Sequence, residues 1–180
     1  EGQHTAVGIL GTGSATTGFN GTEIVRLTPS LGYLLADEGA GSDIGRRLLT
    51  AYLYHEMPPE LSARFEALFP DNIRPENVIK TFYGDSVGSA YLAQHTQLAA
   101  EFAEHAFVQK ILADAFGSFI QRHLHPLLLA GYTQAGLVGS VAFGFRRQLE
   151  PLLLQAGFAA VHIVRDPLDT LPQKVWARKG

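Results

Sequence analysis

The stretch GILGTGSATTGFNG, residues 8–21, decides the fold because it holds two apolar runs and two turns. The first run breaks at Gly11-Thr12-Gly13, and the second breaks at Asn20-Gly21. Asn-Gly between apolar runs is a strong hairpin signal, since both residues tolerate the positive φ of a type I′ turn. Val, Ile and Thr are enriched around these turns, which predicts an antiparallel meander of strands over 5–10, 14–19 and 22–27.

The turn Gly11-Thr12-Gly13-Ser14 is the first candidate for a binding function. Its glycines leave main-chain N–H groups unshielded by a Cβ, which suits the close approach of an anionic phosphoryl group. The hydroxyl groups of Thr12 and Ser14 add donors beside those amides. The alternative is that these residues make only a hairpin turn, because short glycine motifs often occur without a ligand.

Composition limits the classes of protein and partner that fit. The 180 residues, 46% of them apolar, are enough for one globular domain with a sizeable core. A formal net charge of -3 without a basic cluster argues against a nucleic-acid or anionic-membrane partner. No apolar run approaches the ~20 residues of a membrane-spanning helix. The lack of cysteine excludes disulfides and Cys-ligated metal centres, and we expect a cytoplasmic protein.

After the meander the pattern becomes helical and then returns to strands. A glycine-rich loop carrying Asp37 and Glu38 leads to Ser42, which is suited to cap the next helix. Spacings of three and four residues between apolar side chains indicate a helical block over about 43–126. Apolar runs at 136–142 and 158–164 flank a helix over 145–155. The pattern predicts an α/β domain with a five-stranded mixed sheet, three antiparallel strands followed by two that enter through helices.

Three segments in this order resemble the second half of the two-domain kinase superfamily that includes sugar kinases, actin and the heat-shock chaperones. The segment 8–14 is similar to its second phosphate motif, 31–42 to its G-W-G-x-x-x-x-D-E-G-S segment, and 139–142 to its adenosine motif. The resemblance extends to the N-acetylglucosamine kinases and to the small ATPases that activate acyl-CoA dehydratases and reductases. It implies a ribonuclease-H-like (actin-like ATPase) domain in which the helical block is an insertion.

The resemblance also implies ligands and the residues that hold them. ATP, with Mg²⁺, would contact its phosphates and its adenosine through two glycine segments, and Asp37 and Glu38 would bind a sugar. The phosphate group comprises Gly11, Thr12, Gly13 and Ser14, and the adenosine group comprises Gly139, Ser140, Val141 and Ala142. Two alternatives stay open: the carboxylates serve the end of a helix, and 139–142 is a strand-to-helix turn that needs small residues.

The superfamily's first phosphate motif, D-x-G-G-T-x-T, and the aspartate that takes the proton from the sugar hydroxyl have no counterpart here. Residues 1–180 are therefore expected to be the second, C-terminal half of a longer kinase whose N-terminal kinase domain lies upstream and supplies the catalytic base. The start at Glu1, just before the first strand, looks like a cut end. Phosphoryl transfer depends on positioning from both walls of a cleft, so the isolated chain should not turn over.

The histidines and the arginine pair are given structural roles. His123 and His125 are two residues apart, which points them to different sides of a helix, so interaction with a helix C-terminus is expected rather than metal binding. Arg46 and Arg47 are expected on a solvated helix face. No residue is assigned to a metal.

Two functions follow from these observations. The first is the nucleotide- and sugar-binding domain of an ATP-dependent sugar kinase, by resemblance an N-acetylglucosamine kinase, that transfers a phosphoryl group from ATP to a sugar hydroxyl. The alternative is a non-catalytic or switch ATPase domain that binds ATP to control a partner. The absence of cysteine argues against the activators that share an iron–sulfur cluster between subunits. A homodimer is compatible with either function.

Overall fold

A computed structural model describes residues 4–83 and 88–166, which form a mixed five-stranded sheet with helices. The order across the sheet is β3-β2-β1-β4-β5. The pairs β1–β2 and β2–β3 are antiparallel, and β1–β4 and β4–β5 are parallel. The predicted five-stranded mixed sheet is confirmed. The strands are β1 (Thr5–Leu10), β2 (Ser14–Phe19), β3 (Ile24–Val25), β4 (Gln134–Val138) and β5 (Ala160–Val164).

Helices fill the stretch between β3 and β4 and also precede β5. No helix in the part of the chain that the structure describes is long and apolar enough to cross a membrane. A π-helical turn, Ile120–Leu124, interrupts the helical run before β4. The α-helices are α1 (Gly41–Leu53), α2 (Pro59–Leu68), α3 (Pro75–Tyr83), α4 (Gly88–Gln94), α5 (Thr96–Glu101), α6 (Ala106–Phe119), α7 (His125–Leu129), α8 (Ser140–Gly144) and α9 (Arg146–Gln155).

The turn between β2 and β3 is not the type I′ turn that the sequence predicts. Of its first two residues only Gly21 has a positive φ, 98°. The side chain of Asn20 shapes the turn instead, since its Oδ1 accepts hydrogen bonds from the amides of Thr22 at 3.0 Å and Glu23 at 2.8 Å. Strand β3 is consequently two residues long rather than the six predicted over 22–27.

The predicted strand at 136–142 also ends early. Strand β4 stops at Val138, Gly139 has a φ of 130°, and α8 starts at Ser140. The small residues that follow β4 therefore form a strand-to-helix turn rather than the end of a strand.

The hydrophobic core is one cluster that extends from the covered face of the sheet through α6 to the helices between β3 and β4. Strand β1 alternates, with Ala6 and Leu10 fully buried and Ile9 52% exposed, as expected for a strand with one covered face. Phe119 of α6 crosses this covered face, where a Cβ on Gly8 would come within 3.2 Å of its ring. The end of α6 and the π-helical turn are thereby fixed close to the sheet.

His95 is a fully buried imidazole between α4 and α5. Its ring lies 4.7 to 5.3 Å from the ring centroids of Phe65, Phe69 and Tyr91. Its Nδ1 is 3.2 Å from the Leu92 carbonyl oxygen, and its Nε2 has no hydrogen-bond partner among the described residues. Burial lowers the pKa of His95 to about 4, and the hydrogen bond to Leu92 opposes this only weakly.

We predict that protonation of His95 destabilises the fold in acid. Its folded-state pKa lies below the ordinary value of 6.5, so the neutral ring stabilises the fold above pH 6.5 and this contribution is lost as the pH falls toward 4. The shift corresponds to about 3 kcal/mol. Urea unfolding between pH 7 and 4.5 should show a smaller loss of stability for His95→Leu than for the unmodified chain. His162→Leu, at an exposed position on β5, is the control, and identical pH profiles for all three proteins would contradict the prediction.

Candidate functional site

The two glycine segments, 11–14 and 139–142, lie together at the edge of the sheet where β1 and β4 end. Because these strands are parallel, Ile9 pairs with Val138 and the segments that follow them emerge side by side. A Cβ on Gly139 would overlap the carbonyl oxygen of Leu10 and lie 3.2 Å from the amide nitrogen of Gly11. The structure thus brings together the candidate phosphate and adenosine residues.

The start of α1 holds the turn at 11–14 in place. The amide of Gly41 donates to the carbonyl oxygen of Gly11 at 2.8 Å, and the amide of Ser42 donates to that of Thr12 at 3.1 Å. These are amides that a helix cannot satisfy internally. The expected capping role of Ser42 is wrong, because Ala40 is the N-cap residue and Ser42 lies inside the first turn. The Ser42 hydroxyl is buried without a hydrogen-bond partner among the described residues.

Only part of the predicted set of phosphate donors is free. The amide of Gly11 donates to the Gly13 carbonyl oxygen at 3.0 Å, and the amide of Ser14 donates to Oδ1 of Asp37 at 3.1 Å. The Ser14 hydroxyl is buried. The amides of Thr12 and Gly13 donate no hydrogen bond to any residue that the structure describes. With the exposed Thr12 hydroxyl, they are the donors left for a ligand.

Asp37 lies directly against this turn. It is 8% exposed and has a φ of 59°, which is uncommon for a residue other than glycine. Its Oδ1 accepts from Ser14, and its Oδ2 would lie 2.8 Å from a Cβ placed on Gly13. Gly13 itself does not have a positive φ. Glycine is needed at position 13 because the Asp37 carboxylate occupies the space that a side chain would fill.

Glu38, the next residue, is anchored on both carboxylate oxygens. Its Oε2 is 2.7 Å from Nε2 of His123, and its Oε1 accepts from Nη1 of Arg122. Burial raises the pKa of Glu38, but the hydrogen bonds from His123, its own backbone and Arg122 outweigh burial and leave that pKa below its ordinary value. The buried Glu38 carboxylate is therefore held by a hydrogen bond with the buried His123 and by an ion pair with Arg122, whose side chain is largely exposed.

The expected role of His123 at a helix C-terminus is wrong. It belongs to the π-helical turn between α6 and α7, and its ring is buried against Glu38. Spacing along the chain gave no signal for this contact, because the two residues are 85 positions apart. Among the described residues, no group of three or more His, Asp or Glu could hold a metal ion.

A third buried carboxylate, that of Asp43, binds the loop at 37–40. Its Oδ2 accepts from the amide of Gly39 at 3.1 Å, and its Oδ1 accepts from Arg46 at 2.5 Å and from Arg47 at 3.0 Å. Arg46 and Arg47 are thus not merely solvated, since both compensate the charge of Asp43. An acidic residue in the first turn of α1 also interacts favourably with the helix dipole.

A cavity of about 320 Å³ opens beside Ser140 and Val141. Residues of α4 and α5 line its other side, including the polar Gln94, Thr96 and Gln97. A different cavity, of about 560 Å³, lies between α6 and α9 and contains none of the candidate residues. The smaller cavity is the one adjacent to the predicted adenosine segment.

Comparison with known proteins finds similarity in structure alone. No protein-family model and no curated protein matches the chain. The "Putative N-acetylglucosamine Kinase" of Porphyromonas gingivalis has a similar structure, with a TM-score of 0.83 and 26% identity over 93% of this chain. The protein of the same name from Chromobacterium violaceum gives a TM-score of 0.67 and 19% identity over 88% of this chain.

The likeness defines a kinase-like α/β fold. This chain covers 58% of the P. gingivalis protein and 55% of the C. violaceum protein, so it spans little more than half the length of either. The similarity to the C. violaceum protein carries information on the fold only.

We predict that alanine has different effects at the two glycines of the turn. Gly13→Ala should lower the free energy of unfolding by about 1 to 3 kcal/mol, because its Cβ would meet the buried Asp37 carboxylate. Gly11→Ala is the matched control, since a Cβ there meets nothing within 4 Å. Urea unfolding of both variants measures the difference. Equal midpoints would contradict the packing of Asp37 on Gly13.

Proposed function

We propose that this chain is the nucleotide- and sugar-binding part of an ATP-dependent sugar kinase that phosphorylates N-acetylglucosamine or a related sugar. The observation that carries the proposal is the convergence of segments 11–14, 37–38 and 139–142 at one edge of the sheet. The structural similarity to the P. gingivalis protein supports it independently. Since structural neighbours carry sugar-kinase names, we do not favour the alternative of an ATPase switch.

In this proposal the nucleotide extends along the edge from β1 to β4. The phosphates approach the free amides of Thr12 and Gly13, where Gly11 leaves open space. The adenine enters the cavity beside Ser140, whose polar lining can donate to and accept from its ring. Mg²⁺ would arrive with the phosphates, since no group of three or more His, Asp or Glu among the described residues could hold a metal ion by itself.

The sugar lies against Asp37 on the remaining side of the turn. A carboxylate accepts hydrogen bonds from sugar hydroxyls, and Oδ2 of Asp37 accepts no hydrogen bond from any residue that the structure describes. Glu38 would support Asp37 without touching the sugar, since both oxygens of Glu38 already accept hydrogen bonds. In this proposal the catalytic base and the other wall of the cleft come from a separate N-terminal kinase domain.

We predict that residues 1–180 alone bind Mg-ATP weakly and phosphorylate nothing. Half of the phosphate contacts would be missing, and each lost charge-assisted hydrogen bond removes about 1.5 to 3 kcal/mol. Calorimetry with Mg-ATP and a coupled assay of ADP release with N-acetylglucosamine test the two parts. Gly11→Ala should weaken Mg-ATP binding at least tenfold, whereas Gly117→Ala, an equally open glycine on α6, should not. Sugar-stimulated turnover by the chain alone would overturn the assignment of the base to another domain.

We predict that Asp37→Asn in the full-length kinase impairs sugar use far more than ATP use. The amide oxygen of Asn can still accept from the Ser14 amide, so the phosphate turn should keep its shape. Loss of the charged acceptor should raise KM for the sugar about 10- to 100-fold, with KM for Mg-ATP changed by less than about threefold. Asp114→Asn, at an exposed position on α6, is the matched control. An unchanged sugar KM and kcat would mean that Asp37 serves the loop alone.

A further inference from the structure

The loop at 37–40 contacts two helical elements, α1 and the end of α6. From α1, Asp43 accepts a hydrogen bond from the amide of Gly39. From α6, Phe119 packs against Gly39, where an added Cβ would lie 2.8 Å from the Cβ of Phe119. The π-helical turn that follows Phe119 provides Arg122 and His123, the two side chains that bind Glu38. The conformation of this loop therefore depends on the side chains of the π-helical turn that bind Glu38.

The π-helical turn directs neighbouring side chains to one carboxylate. In a regular α-helix, successive side chains are about 100° apart around the axis. Here Arg122 and His123 reach different oxygens of Glu38, while the carbonyl oxygen of His123 lies 3.4 Å from the Thr16 hydroxyl on β2. The ring of His123 also rests 5.7 Å from that of Phe119. Such π-helical turns inside α-helices frequently occur at functional sites.

Asp37 has a backbone conformation that its surroundings help to fix. Its φ of 59° is uncommon for a residue other than glycine, although Asp tolerates it better than most. The hydrogen bond from the Ala40 amide to the Asp37 carbonyl oxygen, at 3.1 Å, closes the loop locally. The long-range restraint on the adjacent peptide is Glu38, whose carboxylate is fixed at both oxygens.

We propose that His123 and Arg122 are positioning residues for the sugar. By fixing Glu38, they hold Asp37 in the left-handed conformation in which Oδ1 binds the Ser14 amide and Oδ2 stays available to a sugar hydroxyl. The proposal rests on the proposed function for the identity of the ligand. The clamp itself, defined as Glu38, Arg122 and His123, is a property of the fold.

The test compares substitutions at His123 in the full-length kinase. His123→Leu removes the donor to Glu38, and His123→Gln keeps a donor at a similar reach. His125→Leu is the matched control, because His125 follows two residues later and makes no hydrogen bond or ion pair with Glu38. Steady-state kinetics give kcat and both KM values, and hydrogen–deuterium exchange of the peptide covering 37–43 reports the order of the loop.

His123→Leu should raise KM for the sugar at least tenfold, change KM for Mg-ATP by less than threefold and speed exchange at 37–43. His123→Gln should keep the sugar KM within threefold of that of the unmodified enzyme. His125→Leu should have the same sugar KM as the unmodified enzyme. Unchanged exchange in His123→Leu, or a fall in kcat with both KM values unchanged, would overturn the clamp as a positioning device. Absence of sugar phosphorylation by the unmodified full-length protein would instead overturn the proposed function and, with it, the sugar as the ligand of Asp37.

Discussion

The parallel pairing of β1 with β4 is the constraint on which the rest of the site depends. It aligns the ends of two strands that are far apart in sequence, and it lets Gly139 sit against the carbonyl oxygen of Leu10. Any side chain at Gly139 would separate the strand ends, and its φ of 130° also favours glycine. Because the 11–14 turn and the start of α8 leave the sheet here, this close approach of two backbone segments sets the relative position of the candidate phosphate and adenosine residues.

Three buried carboxylates lie in or beside the loop at 37–40, and each is stabilised by its own hydrogen-bond partners. A buried carboxylate is costly unless hydrogen bonds or cations compensate it. Asp37 takes the Ser14 amide, Glu38 takes His123 and Arg122, and Asp43 takes Arg46, Arg47 and the Gly39 amide. Each acid has its own set of partners, so the loop is tied to the sheet, to α1 and to the π-helical turn at once. Loss of any one set leaves an uncompensated charge and frees a side of the loop.

The sequence predicted the sheet, but not the contacts among the candidate residues at its edge. Strands β1 and β2 match their predicted bounds, because alternation and glycine turns are local signals. The Asx turn at Asn20 escaped prediction, since Asn-Gly fits more than one turn geometry. The clamp on Glu38 escaped for a different reason: a π-helical turn has no local pattern that separates it from the α-helix around it, and its partner lies 85 residues away. Helical periodicity therefore predicted correctly that His123 lies in a helix, but it could not predict that its side chain binds Glu38.

In the function that we propose, Asp37 would connect the two substrates. One of its oxygens holds the turn at 11–14, which would face the phosphates, and the other would accept from the sugar. A carboxylate so close to phosphates is electrostatically unfavourable at low dielectric unless cations are present. Mg²⁺ on the nucleotide and donors from an opposing domain would supply that compensation only when the cleft is complete. The same carboxylate would then discourage phosphate binding in an open cleft and accept the sugar in a closed one, which ties the order of the site to the assembly of both halves.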